Sequence, residues 1–350
     1  MRDVAIVAFA QSKHVANDAE HNEVEILMPV VSDAVEQSGI ARHDLGFVCS
    51  GSCDYLIGAP FSFVSALDAI GAWPPVSESH VEMDAAWALY EAWVRLQHGD
   101  IDSALVYGFG KSSLGDVSEI MSLQLDPYYL APLWPDTVSL AALQARAHLA
   151  TSGRSERDLA AVVARSRKAA LDNPNAVRAE DRSIDDILAE PTIASPLREA
   201  DCPPVTDGAA AIVLAAGDLV RQVSKRPAWI RGIDHRIETH SIGARDLAVS
   251  SSTSLAGEKA DAFSATPDVA ELHAQFSHEE LILRDALGLD GAVVNPSGGP
   301  LAANPVMAAG LVRIGEAASR ISHGGAGRAI AHATSGPCLQ QNLVCVLEGD

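Results

Sequence analysis

DVAELHAQFSHEELILRDALGLDGAVVNPSGGPLAANPVMAAG, residues 268–310, reads as a strand, a turn carrying His273, an amphipathic helix, a second strand, a glycine-rich elbow and another helix. Over Leu281, Ile282, Arg284, Asp285, Leu287 and Leu289, positions recur at three-to-four spacing, and Gly288 supplies a stop. Ala292-Val293-Val294 is a short apolar strand, so Asn295-Pro296-Ser297-Gly298-Gly299 must turn the chain sharply at its end. Connections of this kind set polar side chains and free backbone N–H groups at one end of a sheet, where α/β folds carry their chemistry.

Outward from this stretch the same alternation returns. VAIVAF (residues 4–9) has the continuous apolar character of a buried strand, and residues 23–38 follow with helical spacing and Gly39 as the stop. Residues 45–49 form a second strand, residues 82–97 an Ala-, Leu- and Trp-rich helix ended by Gly99, and residues 104–107 the strand after it. Strand and helix in alternation predict a layered sheet with helices on both faces. From residue 110 to about 172 the pattern changes. A proline- and aromatic-rich loop (DPYYLAPLWP, residues 126–135) leads into two helices, an inserted lobe that either caps a site or adds a structural layer. Asp207-Gly208-Ala209-Ala210-Ala211 then enters another buried strand, and LVRQVSKRPAW is the expected linker to a second half.

Composition narrows the function classes. Of the 350 residues, 48% are apolar and 5% aromatic, which suits tightly packed α/β layers. A formal charge of −21 argues against a nucleic-acid or anionic-membrane surface. Five irregularly spaced cysteines make no disulfide framework, which points to a reducing cytoplasm. Cys49 and Cys53 lack a second pair, so no metal site is expected. The apolar run after Met1-Arg2-Asp3 is too short for a signal peptide, and no run reaches the roughly eighteen apolar residues of a membrane span.

Glu271-Leu272-His273-x-x-Phe276, the NPSGG elbow, the DGAAA strand entry, Asn173-Pro174 and Pro196-Leu197 come in an order that resembles the thiolase superfamily along almost the whole chain. Within it, the resemblance is to the sterol-carrier-protein-X or lipid-transfer-protein type, which carries His where other thiolases carry Asn. It implies an α/β thiolase fold, two similar halves forming a five-layered αβαβα core. The halves would be residues 1–220, with an inserted loop domain at about 110–195, and residues 221–350. The resemblance also implies an oligomer.

Three departures from the family pattern bear on chemistry. The family's nucleophilic Cys opens a helix, where the dipole favours thiolate. Counting back without gaps from Gly99, its position falls on Glu82, and no cysteine lies between Cys53 and Cys202. Where members continue the elbow with Gly-His-Pro, this chain has Ala303-Asn304-Pro305, and Asn cannot shuttle a proton. The Cys-x-Gly acid/base site is matched only loosely, by Thr334-Ser335-Gly336-Pro337-Cys338.

His273 remains as the implied oxyanion-hole donor. Glu82 and Asp84 are the acid/base candidates, set against a purely structural role at a helix start. Asn304, Ser297, Gly298, Gly299 and Tyr128 make the expected substrate-binding set, although loop aromatics also serve simply to pack a lobe. Glu271 and Glu279 flank His273 as groups that would tune its pKa, with a solvated helix face as the favoured reading for Glu279. Arg146, Arg165, Arg167 and Lys168 either meet phosphates or line a solvated face. Three functions then stay open: a retro-aldol lyase on β-hydroxyacyl-CoA side chains such as those of steroids, a non-catalytic subunit of a hetero-oligomer, and a lipid or acyl-CoA carrier. The implied ligand is an acyl-CoA thioester, with coenzyme A as part of the substrate and no separate cofactor. The implied partners are a thiolase-like chain and, for the lyase, a small OB-fold and zinc-ribbon protein.

Overall fold

Alternate side chains of the first strand enter two different cores: Val4 and Ile6 join one cluster, Ala5, Ala8 and Ala10 another. A strand buried on both faces belongs inside a layered α/β structure. A computed structural model describes residues 1–71 and 77–350. The chain opens with β1 (Val4–Gln11), α1 (Glu23–Ser38), β2 (Phe47–Gly51), α2 (Asp54–Ile57), α3 (Ser62–Ile70), β3 (Glu78–Val81), α4 (Ala85–His98) and β4 (Ser103–Lys111). A lobe follows, made of α5 (Val117–Leu123), α6 (Thr137–Ser152), α7 (Glu156–Ala169), α8 (Ile184–Leu188) and the hairpin of β5 (Thr192–Ala194) with β6 (Leu197–Arg198). The chain returns through β7 (Asp207–Ala216) and α9 (Asp218–Val223). It then runs β8 (Ala228–Ile237), α10 (Ser251–Lys259), β9 (Val269–Leu272), α11 (Ser277–Leu287), β10 (Val293–Val294), α12 (Ala309–Ser322), β11 (Arg328–Ser335) and β12 (Gln341–Glu348).

Ten strands hydrogen-bond in the order β10-β9-β11-β12-β8-β1-β7-β4-β2-β3. Read outward from the central β1–β8 pair, this is one pattern used twice. β1-β7-β4-β2-β3 and β8-β12-β11-β9-β10 share the sequence antiparallel, antiparallel, parallel, parallel. The repeat is one of topology; the residues carry no strong trace of it. Strands of both halves pack one face against α4 and α12. The other faces are covered by α1 and α3 in the first half and by α10 and α11 in the second. Helix, sheet, central helices, sheet, helix gives the five layers.

Two local features let the central helices sit close to the sheet. A Cβ at Gly110 of β4 would overlap the Val306 carbonyl oxygen, and one at Gly108 would lie 2.5 Å from the Ala85 Cβ. Only glycine leaves room for the start of α4 and the segment before α12 to approach that strand. The helix expected over residues 82–97 starts later, at Ala85, because the Asp84 side chain accepts the Ala86 N–H and caps it there. Among the described residues, no helix is long and apolar enough to cross a membrane.

The elbow after β10 is held from inside. Glu271 on β9 and Arg313 on α12 form a fully buried ion pair of 2.8 Å. Ser297 completes the arrangement, donating its N–H and Oγ–H to Glu271 at 3.0 and 2.7 Å. Its Oγ also accepts from the Arg313 guanidinium at 2.6 Å. Asn295, at φ 48°, accepts the Leu272 N–H and donates to Glu280. Breaking such a pair strands an uncompensated buried charge, whereas removing both charges does not. Arg313→Met is therefore expected to lower the unfolding free energy by about 3–5 kcal/mol in denaturant titrations. The double variant Glu271→Met/Arg313→Met should lose clearly less; an equal or larger loss would contradict this account.

Candidate active site

A cavity of about 330 Å³ opens between the lobe and the central layer. Val117 and Met121 of α5 and Leu140 of α6 give it an apolar wall. Asp84, His273, Asn304, Glu279 and Thr334 add polar groups to its lining. An apolar recess with a few convergent polar side chains is the usual form of a small-molecule site.

Asp84 sits where two helix N-termini meet. Its Oδ1 accepts the Ala86 N–H of its own helix at 2.9 Å and the Leu311 N–H of α12 at 3.2 Å. Its Oδ2 accepts the Gly310 N–H at 2.8 Å. Burial pushes the Asp84 carboxyl above the usual carboxylate range, against these three hydrogen bonds and the positive charge of Arg313. With both oxygens engaged, Asp84 serves first to bind the helices together.

His273 follows β9, and its backbone N–H is fixed by the His332 carbonyl. Its Nδ1 accepts the Thr334 N–H at 3.3 Å, so the ring proton of the neutral form lies on Nε2. Burial, with His332 and Arg313 adding to it, lowers the pKa to about 3, and the Asn304 side chain opposes the shift. Although Asn304 is near enough to exert that effect, neither His273 Nε2 nor Asn304 Oδ1 has a partner of normal hydrogen-bond geometry among the described residues. Buried polar atoms are seldom left so; a bound carbonyl would accept from Nε2–H, and a bound hydroxyl could donate to Asn304 Oδ1. The arrangement offers a neutral imidazole donor, which polarises an oxygen without giving it a proton.

Glu279, in the first turn of α11, is 5% exposed, not solvated as its helix position suggested. The lobe is the reason. α11 buries Ile282, Leu283 and Leu287 against the sheet and Leu281 against α6 and α7, so it has little free face left. Cys202 and Cys338 also border the cavity, and burial pushes both thiols up to about 12. At neutral pH they are thiols and not thiolates. All five cysteines are free and buried. Among the described residues, no group of three or more His, Cys, Asp or Glu is placed to hold a metal ion.

The fold has a close counterpart among solved structures. A chain of the Ltp2-ChsH2(DUF35) aldolase superposes with a TM-score of 0.82, covering 99% of this chain and 98% of that one at 18% identity. The fold is thiolase-like. Sequence relatives agree with a thiolase-like chain. The acetyl-CoA acetyltransferase of Methanothermobacter thermautotrophicus is 26% identical over 348 residues, covering 90% of each protein. The 17-hydroxy-3-oxo-4-pregnene-20-carboxyl-CoA lyase of Mycobacterium tuberculosis is 25% identical over 226 residues, 61% of this chain and 58% of its own. No family model matches the chain.

On this thiolase fold, the residues singled out from sequence divide into two sets. Asp84, His273 and Asn304 come together at the cavity. Glu82 does not join them: its half-exposed carboxylate accepts the Asp54 N–H at 2.6 Å and lies 3.3 Å from His80. Tyr128 is 81% exposed, because Asp126 takes the backbone N–H groups of Tyr128 and Tyr129 and turns both rings outward. Ser297, Gly298 and Gly299 are buried away from the cavity. Ser297 is committed to Glu271 and Arg313, Gly298 gives its carbonyl to Ser166, and Gly299 folds onto Asn295. The lobe cations are engaged too: Arg165 with Glu280, Arg167 with Glu180, Lys168 with Asp181 and Arg146 with Ser195. A residue-level test of the site is the His273 ring. Its ¹⁵N resonances should remain those of a neutral Nε2–H imidazole from about pH 8 down to about pH 5; a ring titrating near 6.5 would contradict the burial described.

Proposed function

We propose that this thiolase-like chain is a carbon–carbon lyase of the retro-aldol type, acting on the β-hydroxyacyl thioester of coenzyme A together with a second protein chain. The observation that carries the reading is the Nε2–H of neutral His273, without a partner among the described residues, beside Asn304 in the lining of a largely apolar cavity. In such a reaction a base takes the β-hydroxyl proton and the O–H electron pair forms a carbonyl at Cβ. The Cα–Cβ bond breaks, and its pair passes to Cα, giving an enolate whose charge rests on the thioester oxygen. His273 Nε2–H and the Asn304 amide would hold that oxygen. The enolate then takes a proton at Cα, leaving a shorter acyl thioester and a ketone or aldehyde. No covalent acyl-enzyme is required.

The protonated state of Cys202 and Cys338 supports this over acyl transfer, which needs a thiolate at neutral pH. Asp84, and no thiol, stands at the start of α4. The lyase relative and the aldolase complex support a lyase that works with a partner; the acetyltransferase relative supports the competing reading. A steroid-derived acyl group is the substrate class we favour.

The test is cleavage of a β-hydroxyacyl-CoA by the purified chain, alone and with the products of neighbouring genes. Cleavage is expected, and His273→Ala should lower kcat/KM by about 10²–10³-fold, the usual cost of one oxyanion donor. Cys202→Ser and Cys338→Ser should cleave at near wild-type rates. Acetyl transfer between two acetyl-CoA molecules that is abolished by either cysteine substitution would replace the lyase reading with the acyltransferase one. A stable complex with no turnover of either kind would leave the chain as a non-catalytic subunit.

A further inference from the structure

The lyase reading, on which this inference rests, leaves the base for the β-hydroxyl unassigned. Four other carboxylates are buried near the site, and each is already committed. Asp84 holds two helix N-termini, and Glu271 is paired with Arg313. Glu280 is paired with Arg165 through Oε2, and although its Oε1 has no partner among the described residues, Glu280 does not border the cavity. Asp201 accepts from Ser277 and the Arg198 backbone. Glu279 differs. Its Oε2 accepts the N–H groups of Gln275 and Phe276 at 2.8 and 3.2 Å, while among the described residues Oε1 takes no hydrogen bond and no cation pairs with the side chain. Its residual exposure is to the cavity that it shares with His273 and Asn304.

We infer that Glu279 is the general base and acid of this site, with Oε1 as the proton-carrying atom. Glu279 takes the β-hydroxyl proton as the Cα–Cβ bond breaks and the enolate forms. It then returns the same proton to Cα. The step needs no oxidant and no further reactant, and the carboxylate is regenerated. The placement suits both tasks, because the backbone hydrogen bonds fix Oε2 and so orient the other oxygen.

The surroundings also suit it. Apart from Asp84, the titratable groups that border the cavity with Glu279, Cys202 among them, are uncharged. Cys338 is a protonated thiol with Arg245 bonded to its carbonyl from behind, His273 is neutral, and His278 on the same helix is neutral and paired with Gln144. Asp84 is the remaining acid that borders the cavity. In this setting burial raises the Glu279 pKa to about 7, against its two backbone hydrogen bonds, so acid and base forms are both well populated near neutrality. Ordinary helix capping accounts for Oε2 but leaves Oε1 without a hydrogen bond among the described residues, on a side chain that borders the cavity.

Glu279→Gln separates the two roles. The amide oxygen can still accept both N–H groups, so the cap persists, but it cannot take up a proton. The variant is expected to melt within a few degrees of the wild type. Its kcat/KM should fall by about 10²–10⁴-fold. Wild-type kcat/KM should rise with pH through a group near 7, the deprotonated form being active, and that limb should be missing from the variant. Infrared difference spectra of the protein without substrate should show a carboxyl titrating near 7 that disappears in Glu279→Gln. An active wild type with an unaltered profile in Glu279→Gln, or no such carboxyl band, overturns the assignment and leaves the lyase reading intact. A wild type with no lyase activity in any combination overturns the lyase reading, and this assignment falls with it.

Discussion

The N-termini of α4 and α12 point at a common spot, and each carries roughly half a positive charge there. Left alone they would repel and expose unsatisfied N–H groups. One carboxylate lies between them: Asp84 caps α4 through Ala86 and reaches across to Gly310 and Leu311 of α12. Taking a carboxylate out of water costs several kcal/mol, and three backbone donors plus two helix ends offset that cost. The cavity is built on this junction. β4 contributes Gly108 and Gly110 so that both chain segments can approach, and His273 and Asn304 are brought to the same place by the connections that follow β9 and β10.

Much of the architecture was legible because it depends on short-range rules. The apolar runs, the glycine stops and the elbow specify strand, helix and turn locally, and the order of motifs carried the fold. His273 was legible as a turn residue next to that elbow. Burial by a distant segment was not. Glu279 sits on a helix whose pattern leaves one side polar, and only the lobe, more than a hundred residues earlier in the chain, closes over it. Glu82 and Asp84 were indistinguishable by counting, since a shift of two residues decides which is the cap. Ser297 looked available to substrate because a buried Glu–Arg pair between β9 and α12 leaves no signature in a linear sequence.

Closure by the lobe also sets the charge state of the cavity. The imidazole is held neutral and the thiols are held protonated, each by loss of water more than by any neighbour. A site made neutral in this way concentrates electrostatic effects on whatever charge a reaction develops, because little else screens it. It favours chemistry in which charge appears on the ligand, in the transition state, over chemistry that needs a standing thiolate or imidazolium.

The repeated strand order has a consequence of another kind. Each half owns one connection from its outermost strand into a central helix: residues 82–84 between β3 and α4, and residues 295–308 between β10 and α12. These are counterparts, yet the first is cut to a cap and the second is elaborated into an elbow, an ion-pair anchor and the loop bearing Asn304. A doubled framework gives redundancy. Either counterpart can drift toward pure structural service while its twin keeps a ligand-facing task, and the five layers persist through the change.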